Sequence, residues 1–342
     1  MEQQAIITVK DLRTYFYSDK RCNKVLNGVS FELYKGRTLC VVGESGCGKS
    51  VTASSIMQLL PKLSRIESGA ITYHSEKGDI RIDQLPRNGK EMRALRGRDI
   101  AMIFQDPMTA LNPVYTIGFQ IGEDLKYHTD LDKRSRRART LELLTQMGIS
   151  TPEKRIDQYP HEFSGGMRQR AMIAMAMSCS PKVLIADEPT TALDVTIQAQ
   201  ILELMKELQK KTHMGIIFIT HNLGVVAEIC DKVSVMYAGK IVEQGPVDDI
   251  FYKPGHPYTV GLLRSMPRVD AESYERLIPI EGTPVDMLNP PEGCPFAPRC
   301  DFCCEKCRQE MPPEVPVCDG HAVRCWNAEQ VYAGHREEVE AV

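Results

Sequence analysis

Residues Gly43–Ser50, with the sequence GESGCGKS, have the types and spacing of a phosphate-binding loop. Glycines allow successive backbone N–H groups to converge on phosphate oxygens, and the start of a following helix adds a partial positive charge. At this spacing Lys49 reaches the β- and γ-phosphates, and the Ser50 hydroxyl coordinates Mg²⁺. The residues that we predict to bind the nucleotide here are Gly43, Ser45, Gly46, Cys47, Gly48, Lys49, Ser50 and Val51.

Two adjacent carboxylates form a second candidate site. Asp187 and Glu188 directly follow the apolar run Val183–Ala186, which is typical of a buried strand. Ligands bind at the carboxyl ends of such strands in α/β sheets. We therefore expect Asp187 to hold Mg²⁺ through a water molecule, and Glu188 to polarise the attacking water as a general base. An isolated Asp-Glu pair would be weak evidence, but downstream of a phosphate loop it predicts nucleotide hydrolysis.

Alternating strands and helices must position these groups. A strand over Leu39–Val42 precedes the loop and a helix over Lys49–Leu60 follows it. Strands separated by helices predict an α/β fold with a mixed, mainly parallel sheet. A mostly helical stretch in the middle predicts an inserted subdomain over about 106–180. Because prolines punctuate the chain after Gly245, we place a domain boundary near 250, between 1–250 and a Pro/Cys-rich extension over 251–342.

The overall composition is that of an ordinary globular protein. Apolar residues make up 42% and charged residues 25% of the chain, and the net charge is −3. These values exclude disordered and fibrous classes, and they provide no bulk attraction for nucleic acid or an anionic membrane. The apolar stretches are far shorter than the roughly 20 residues that a membrane-spanning helix requires.

A third motif carries a resemblance to a known family. Residues Phe163–Arg170 read FSGGMRQR, which resembles the LSGGQ signature of ATP-binding cassette (ABC) ATPases, with Phe163 in place of Leu and Met167 in place of Gln. Ser-Gly-Gly at a helix start is a second anion site. The resemblance implies an ABC-type P-loop NTPase that works as a head-to-tail dimer. In that dimer Ser164, Gly165 and Gly166 of one subunit cover the ATP held by Lys49 of the other.

Further positions match the family one by one. Gln105 corresponds to the glutamine that approaches Mg²⁺ and the γ-phosphate, and Asp194 to the loop that communicates across the dimer. His221 corresponds to the switch histidine that hydrogen-bonds the γ-phosphate. For stacking on adenine the resemblance favours Phe16. Its neighbours Tyr15 and Tyr17 remain alternatives, since an aromatic residue in a strand is more often part of a core.

The cysteines are concentrated near the C-terminus. Seven of the twelve lie between Cys294 and Cys325, and clustered thiols in a chain of this size, without an export signal, indicate metal or redox chemistry rather than a disulfide framework. The region resembles the C-terminal extension of D-type subunits of oligopeptide/dipeptide permeases. That resemblance implies a [4Fe–4S] cluster held by Cys294, Cys300, Cys307 and Cys325. Four thiolates would equally satisfy Zn²⁺, and unmetallated thiols or a disulfide remain possible, because Cys303, Cys304 and Cys318 are extra.

The resemblance implies the ATP-hydrolysing subunit of a bacterial importer for di- or oligopeptides, peripheral on the cytoplasmic face of the membrane. Its expected partners are a second ABC ATPase (a distinct F-type paralogue), two transmembrane permeases and an extracytoplasmic substrate-binding protein, with no nucleic acid. Nickel, glutathione or oligosaccharides are alternative cargoes. A soluble ABC ATPase of translation or DNA repair is the alternative class. The single phosphate loop and the absence of sustained heptads argue against it.

Overall fold

The computed structural model describes residues 4–18, 21–191, 193–266 and 279–340. The strands are β1 (Ala5–Ser18), β2 (Arg21–Tyr34), β3 (Thr38–Val42), β4 (Ser64–Ser75), β5 (Gly78–Arg81), β6 (Ile100–Ile103), β7 (Val183–Asp187), β8 (Gly215–Thr220), β9 (Lys232–Tyr237), β10 (Lys240–Pro246), β11 (Val315–Cys318) and β12 (His321–Val323). The helices are α1 (Lys49–Ile56), α2 (Lys90–Leu95), α3 (Pro107–Ala110), α4 (Ile117–His128), α5 (Lys133–Gln146), α6 (Pro152–Arg155), α7 (Gly165–Ala176), α8 (Val195–Thr212), α9 (Leu223–Ile229), α10 (Val247–Tyr252), α11 (Pro257–Arg264), α12 (Glu305–Gln309) and α13 (Ala328–Glu340). Within these ranges no helix has the length and apolar character needed to cross a membrane.

The chain divides into two compact units. Unit 1 contains the described residues of Met1–Ile6, Leu33–Thr38 and Gln84–Ile219. Unit 2 contains those of Ile7–Glu32, Leu39–Asp83 and Thr220–Val342. The expected boundary near 250 and the subdomain limits remain predictions.

Unit 1 combines a small parallel sheet with packed helices. Its strands lie in the order β8-β7-β6, so β7 is paired on both sides, and Asp187 at its end lies opposite Ile219. Every residue of β7 is buried, as its continuous apolar run predicts. Helices α4, α5 and α7 pack on one another through buried residues such as Ile121, Leu143 and Met172.

Unit 2 contains two sheet segments. One is antiparallel, in the order β2-β1-β4-β5, and the other runs β11-β12-β10-β9-β3. In the second segment β3 pairs with β9 in parallel while the remaining pairs are antiparallel, so the predicted mixed sheet is confirmed. The C-terminal hairpin of β11 and β12 extends this sheet, with Glu243 of β10 opposite Val323 of β12.

One predicted helix limit differs from the structure. Helix α1 ends at Ile56 instead of Leu60, because Gln58 adopts a left-handed φ of 51° and the Leu59 N–H donates to the Ser54 carbonyl oxygen at 2.8 Å. Helix α7 begins one residue after Ser164, which caps it. Helix α13 and the hairpin of β11 and β12 were not predicted from the sequence.

Candidate functional site

The loop Gly43–Ser50 joins the fully buried strand β3 to helix α1, as the motif predicts. Gly43 is required by a close approach, since a Cβ there would lie 2.1 Å from the carbonyl oxygen of Met236. Gly48 precedes α1 with φ of 109°, a backbone conformation that residues other than glycine rarely adopt. The loop geometry therefore depends on the backbone and on its glycines.

Lys49 is held against the loop that it follows. Only 5% of the residue is exposed, and Nζ donates to the carbonyl oxygens of Gly43 at 2.8 Å and Glu44 at 3.0 Å. Ser45, Gly46 and Ser50 are exposed. The ammonium group is thus fixed beside a segment of accessible loop, which is the arrangement that phosphate binding requires.

The C-terminal segment contacts Glu44 of the loop. This contact was not predicted from the sequence. The Arg299 guanidinium pairs with both carboxylate oxygens of Glu44, at 2.8 and 3.0 Å. The Glu44 backbone N–H donates to the hydroxyl of the buried Tyr258 at 2.7 Å. Only 4% of the Arg299 side chain is exposed. This bidentate, shielded pair is a strong form of ion pair, and it fixes one edge of the phosphate loop.

In unit 1 the structure brings together two predicted catalytic residues. The Gln105 amide Nε2 donates to Glu188 Oε2 at 3.0 Å, and the Thr191 hydroxyl donates to the same oxygen at 3.0 Å. Glu188 has φ of 48°, a left-handed conformation that is strained for a residue with a side chain and lies just before Pro189. Strained residues held by hydrogen bonds cluster at active sites.

The Ser164–Gly166 segment also lies in unit 1, at the start of α7. Ser164 Oγ accepts from the Met167 N–H at 3.4 Å, and Gly165 has no atom within 4 Å of the position where a Cβ would lie. The exposed helix start can therefore receive an anion. Gln169, which is buried on the same helix, donates from its amide to the Pro189 carbonyl oxygen, next to Glu188. Gln169 lies within the signature motif, but the motif alone does not indicate this contact.

The other residues predicted to bind ATP or Mg²⁺ lie at strand ends and helix starts. Asp187 ends β7 with 5% of the residue exposed, and the exposed His221 follows β8. Asp194 caps α8, because Oδ1 accepts from the Ile197 N–H at 2.9 Å. Phe16 is half-buried near the end of β1, opposite Ser64 of β4. The donor atoms predicted for Mg²⁺, from Ser50, Gln105 and Asp187, are all oxygens, which suits this hard cation.

The four cysteines that the resemblance selects line one small cavity in unit 2. Proline side chains and aromatic rings complete the lining, and the aromatic residues include Phe296, Phe302 and Trp326. The lining cysteines are Cys294, Cys300, Cys307 and Cys325, while Cys303, Cys304 and Cys318 do not line it. The extra thiols are not all distant from this cavity, since Cys304 Sγ lies 3.4 Å from Cys307 Sγ.

Burial raises the pKa of all four lining thiols. The pKa of Cys307 rises to about 11 and those of Cys300 and Cys325 to about 12, while that of Cys294 is raised as well. Thiolates are the metal-binding form, so binding of a metal here must release protons. Four sulfur donors in an apolar pocket fit a soft metal or an iron–sulfur cluster.

The sulfur positions can be compared with the spacing that Zn²⁺ requires. Zn²⁺ bonded to four thiolates at about 2.3 Å requires sulfur atoms about 3.8 Å apart. Among the residues that the structure describes, no three of the four sulfurs lie within 4.8 Å of one another. As placed in this structure, the four sulfurs are therefore not arranged around a single Zn²⁺ ion.

Comparisons with known proteins agree with this geometry. Residues 26–191 match the ABC transporter family and residues 242–307 match the oligopeptide/dipeptide transporter C-terminal region. The dipeptide transport ATP-binding protein DppD of Bacillus subtilis is 52% identical over 328 residues, 96% of each chain, and the oligopeptide transport ATP-binding protein OppD of the same species is 52% identical over 322 residues, 94% of this chain and 88% of that one. A dimeric ATP-binding cassette solved with ADP and phosphate shares the fold, with a TM-score of 0.62, 23% identity and coverage of 70% of this chain and 98% of that one. The chain therefore belongs to the ATP-binding subunits of ABC transporters, in the group that carries the oligopeptide/dipeptide C-terminal region, and is an ABC-type ATPase.

Proposed function

We propose that this chain is the ATP-hydrolysing subunit of an importer for dipeptides or oligopeptides. The observation that carries the proposal is the 52% identity, over 96% of both chains, to a dipeptide transport ATP-binding protein. This similarity includes the C-terminal region as well as the cassette. Nickel, glutathione and oligosaccharides remain alternative cargoes.

In the proposed mechanism the phosphate loop binds ATP. Its backbone N–H groups and Lys49 neutralise the β- and γ-phosphates. Phe16 stacks on the adenine. The residues that would hold Mg²⁺ are Ser50, Asp187 through water, and Gln105, and the ion would neutralise charge on the phosphate oxygens.

Glu188 is the proposed general base, which accepts a proton from the attacking water. The two donors to its Oε2, from Gln105 and Thr191, restrict the orientation of the carboxylate. The strained backbone of Glu188 supports this role, because the surrounding contacts must hold it against a conformational preference. His221 hydrogen-bonds the γ-phosphate in the same proposal.

The active assembly is a head-to-tail dimer in this proposal. Ser164, Gly165 and Gly166 of each subunit would close over the nucleotide of the other, and Asp194 would transmit closure between them. The open space beside Gly165 supports this, since a phosphate could approach the helix start without obstruction. The partner would be a distinct F-type ABC ATPase.

The other partners in the proposal are two transmembrane permeases and an extracytoplasmic substrate-binding protein, and the chain would lie on the cytoplasmic face of the membrane. Dimer closure and reopening would switch the permeases between inward- and outward-facing states.

We also propose that Cys294, Cys300, Cys307 and Cys325 hold a [4Fe–4S] cluster. Its role would be structural or regulatory.

The test replaces Glu188 by Gln in the complex reconstituted with its permeases. The variant should bind ATP normally and lose at least about 100-fold of its steady-state hydrolysis, since the amide cannot accept the proton. Glu207→Gln, an exposed position on α8, is the matched control and should retain full activity. Normal turnover by Glu188→Gln would remove Glu188 from the base role. Uptake of a labelled dipeptide into vesicles, with nickel and glutathione as competitors, tests the cargo.

A further inference from the structure

A second cluster of metal-binding residue types lies in unit 2, among residues that do not line the cysteine cavity. It consists of Asp249 on α10, Cys318 at the end of β11 and His321 at the start of β12. One donor atom from each residue lies within 4.8 Å of the others. Cys318 Sγ is 3.5 Å from Asp249 Oδ2. A sulfur, a nitrogen and an oxygen donor therefore converge on one point.

The local sequence explains this convergence. The dipeptide Asp319-Gly320 forms a two-residue hairpin turn in which Gly320 has φ of 73°. This turn places Cys318 directly opposite His321 in the antiparallel register. Gly245 on the neighbouring strand leaves space for the imidazole, since a Cβ there would lie 2.9 Å from His321 Cδ2.

His321 has the environment of a metal-binding histidine. The residue is 1% exposed, and Nε2 lies 2.8 Å from Oε1 of Glu243, which is also buried. Glu243 is itself held by the backbone N–H groups of Gly255 and His256, at 2.6 and 3.1 Å. In metal sites a carboxylate commonly holds one ring nitrogen and so orients the other towards the ion.

The second ring nitrogen of His321 has no hydrogen-bond partner among the described residues. A buried polar atom left in this state carries a free-energy cost, so its retention calls for an explanation. A metal ion bound at Nδ1 would provide one. Access from solvent is available, because Cys318 is exposed and Asp249 half-buried.

Lys253 is the charged neighbour that could oppose a cation. Its Nζ lies 3.4 Å from Asp249 Oδ1, whereas Cys318 faces the other carboxylate oxygen, Oδ2. The lysine side chain is 53% exposed, so it can remain in solvent while Oδ2 binds an ion. The ion pair therefore does not occupy the oxygen that the site requires.

We propose that Asp249, Cys318 and His321 form a site for a divalent transition-metal ion of the Zn²⁺ class. Three protein donors of these types plus water complete the tetrahedral coordination that Zn²⁺ prefers. Tetrahedral bonds of about 2.0–2.3 Å need donors roughly 3.3–3.8 Å apart, so small side-chain movements within the 4.8 Å cluster suffice. A bound ion would fasten the hairpin of β11 and β12 to helix α10.

The test uses Co²⁺ alone as a spectroscopic probe of thiolate coordination in the full-length, reduced protein. The variants are Cys318→Ser and Asp249→Asn, and Cys22→Ser is the control that removes one thiol elsewhere in unit 2. The four-cysteine cavity is present in all of them. Differences from the natural protein therefore report only the proposed site. Competition with Zn²⁺ then gives its affinity.

The natural protein and Cys22→Ser should bind one equivalent of Co²⁺ more than Cys318→Ser, with a matching loss of cobalt–thiolate absorption. Asp249→Asn should weaken Zn²⁺ binding at this site by at least about 10-fold. Zn²⁺ should raise the melting temperature of the natural protein more than that of Cys318→Ser. The proposal is overturned if Cys318→Ser binds the same number of ions with the same affinity, or if Cys22→Ser shows the same loss.

Discussion

The phosphate loop and the cysteine-lined cavity, both in unit 2, are built in opposite ways. The loop is made of backbone, and its only buried charge, Lys49, donates to the carbonyl oxygens of Gly43 and Glu44. The cavity is made of side chains, and burial raises the pKa of its thiols. Protein contacts define the loop geometry, whereas the thiols of the cavity would become charge-compensated thiolates only on binding the proposed metal.

The two regions are also connected. Arg299 lies between Cys294 and Cys300 in the chain, and its guanidinium pairs with Glu44 of the loop. Phe296, from the same segment, packs edge-on against Tyr237 and tilted against Tyr258. The C-terminal segment therefore supports the loop, and we expect a change in the cavity to affect nucleotide binding through Arg299.

The largest expected effect is on the cavity. Cys325→Ser should abolish iron and acid-labile sulfide in anaerobically purified protein and destabilise unit 2 by about 5 kcal/mol, because a structural metal site contributes its binding energy to folding. Cys303→Ser, which does not line the cavity, should retain both. Metal analysis and urea unfolding provide the measurements. Loss of iron from both variants alike would refute the four-cysteine assignment.

A somewhat smaller effect is expected at the loop. Gly43→Ala places a Cβ 2.1 Å from a backbone oxygen, so the loop must shift, at a cost of about 3 kcal/mol, and ATP affinity should fall about 100-fold. Gly46→Ala meets no atom within 4 Å and should cost only about 1 kcal/mol for its φ of 80°. Nucleotide titration of both variants tests this order, and equal affinities would contradict it.

The connection between the two regions should show an intermediate effect. Arg299→Met retains the side-chain volume but leaves Glu44 without its ion-pair partner. We expect the free energy of unfolding to fall by about 2 kcal/mol. This is less than for a fully buried pair, because the Glu44 side chain is 27% exposed. The apparent ATP affinity should fall with it. Unchanged affinity in a folded Arg299→Met variant would show that the cavity and the loop act independently.

The smallest effect is expected at an exposed ion pair, which serves as the reference for the buried one. Arg137→Met makes the same substitution in an exposed pair with Asp157, where the side chains are 52% and 65% exposed. Solvent screening limits such pairs to about 0.5 kcal/mol or less. Urea unfolding should therefore distinguish it clearly from Arg299→Met. Similar losses for the two variants would mean that burial does not strengthen the Arg299 pair.

Local sequence predicted the elements that depend on a few neighbouring residues. The phosphate loop is specified by glycines within eight residues, and β7 by an uninterrupted apolar run that ends at Asp187. The hydrogen bond between Gln105 and Glu188 could not be predicted from local sequence, because the two residues are distant in the chain. The family resemblance nevertheless selected both.

The contacts between distant segments were decided only by the tertiary structure. Arg299 and Tyr258 lie in the region that resembles the transporter extension, but the resemblance assigned neither a role. Their contacts with Glu44 arise because the C-terminal segment packs beside the loop. The tertiary structure likewise decided which cysteines line the cavity, since spacing alone allowed several ligand sets. Hydrogen-bond and sulfur geometry depend on three-dimensional distance, whereas a motif records only separation along the chain.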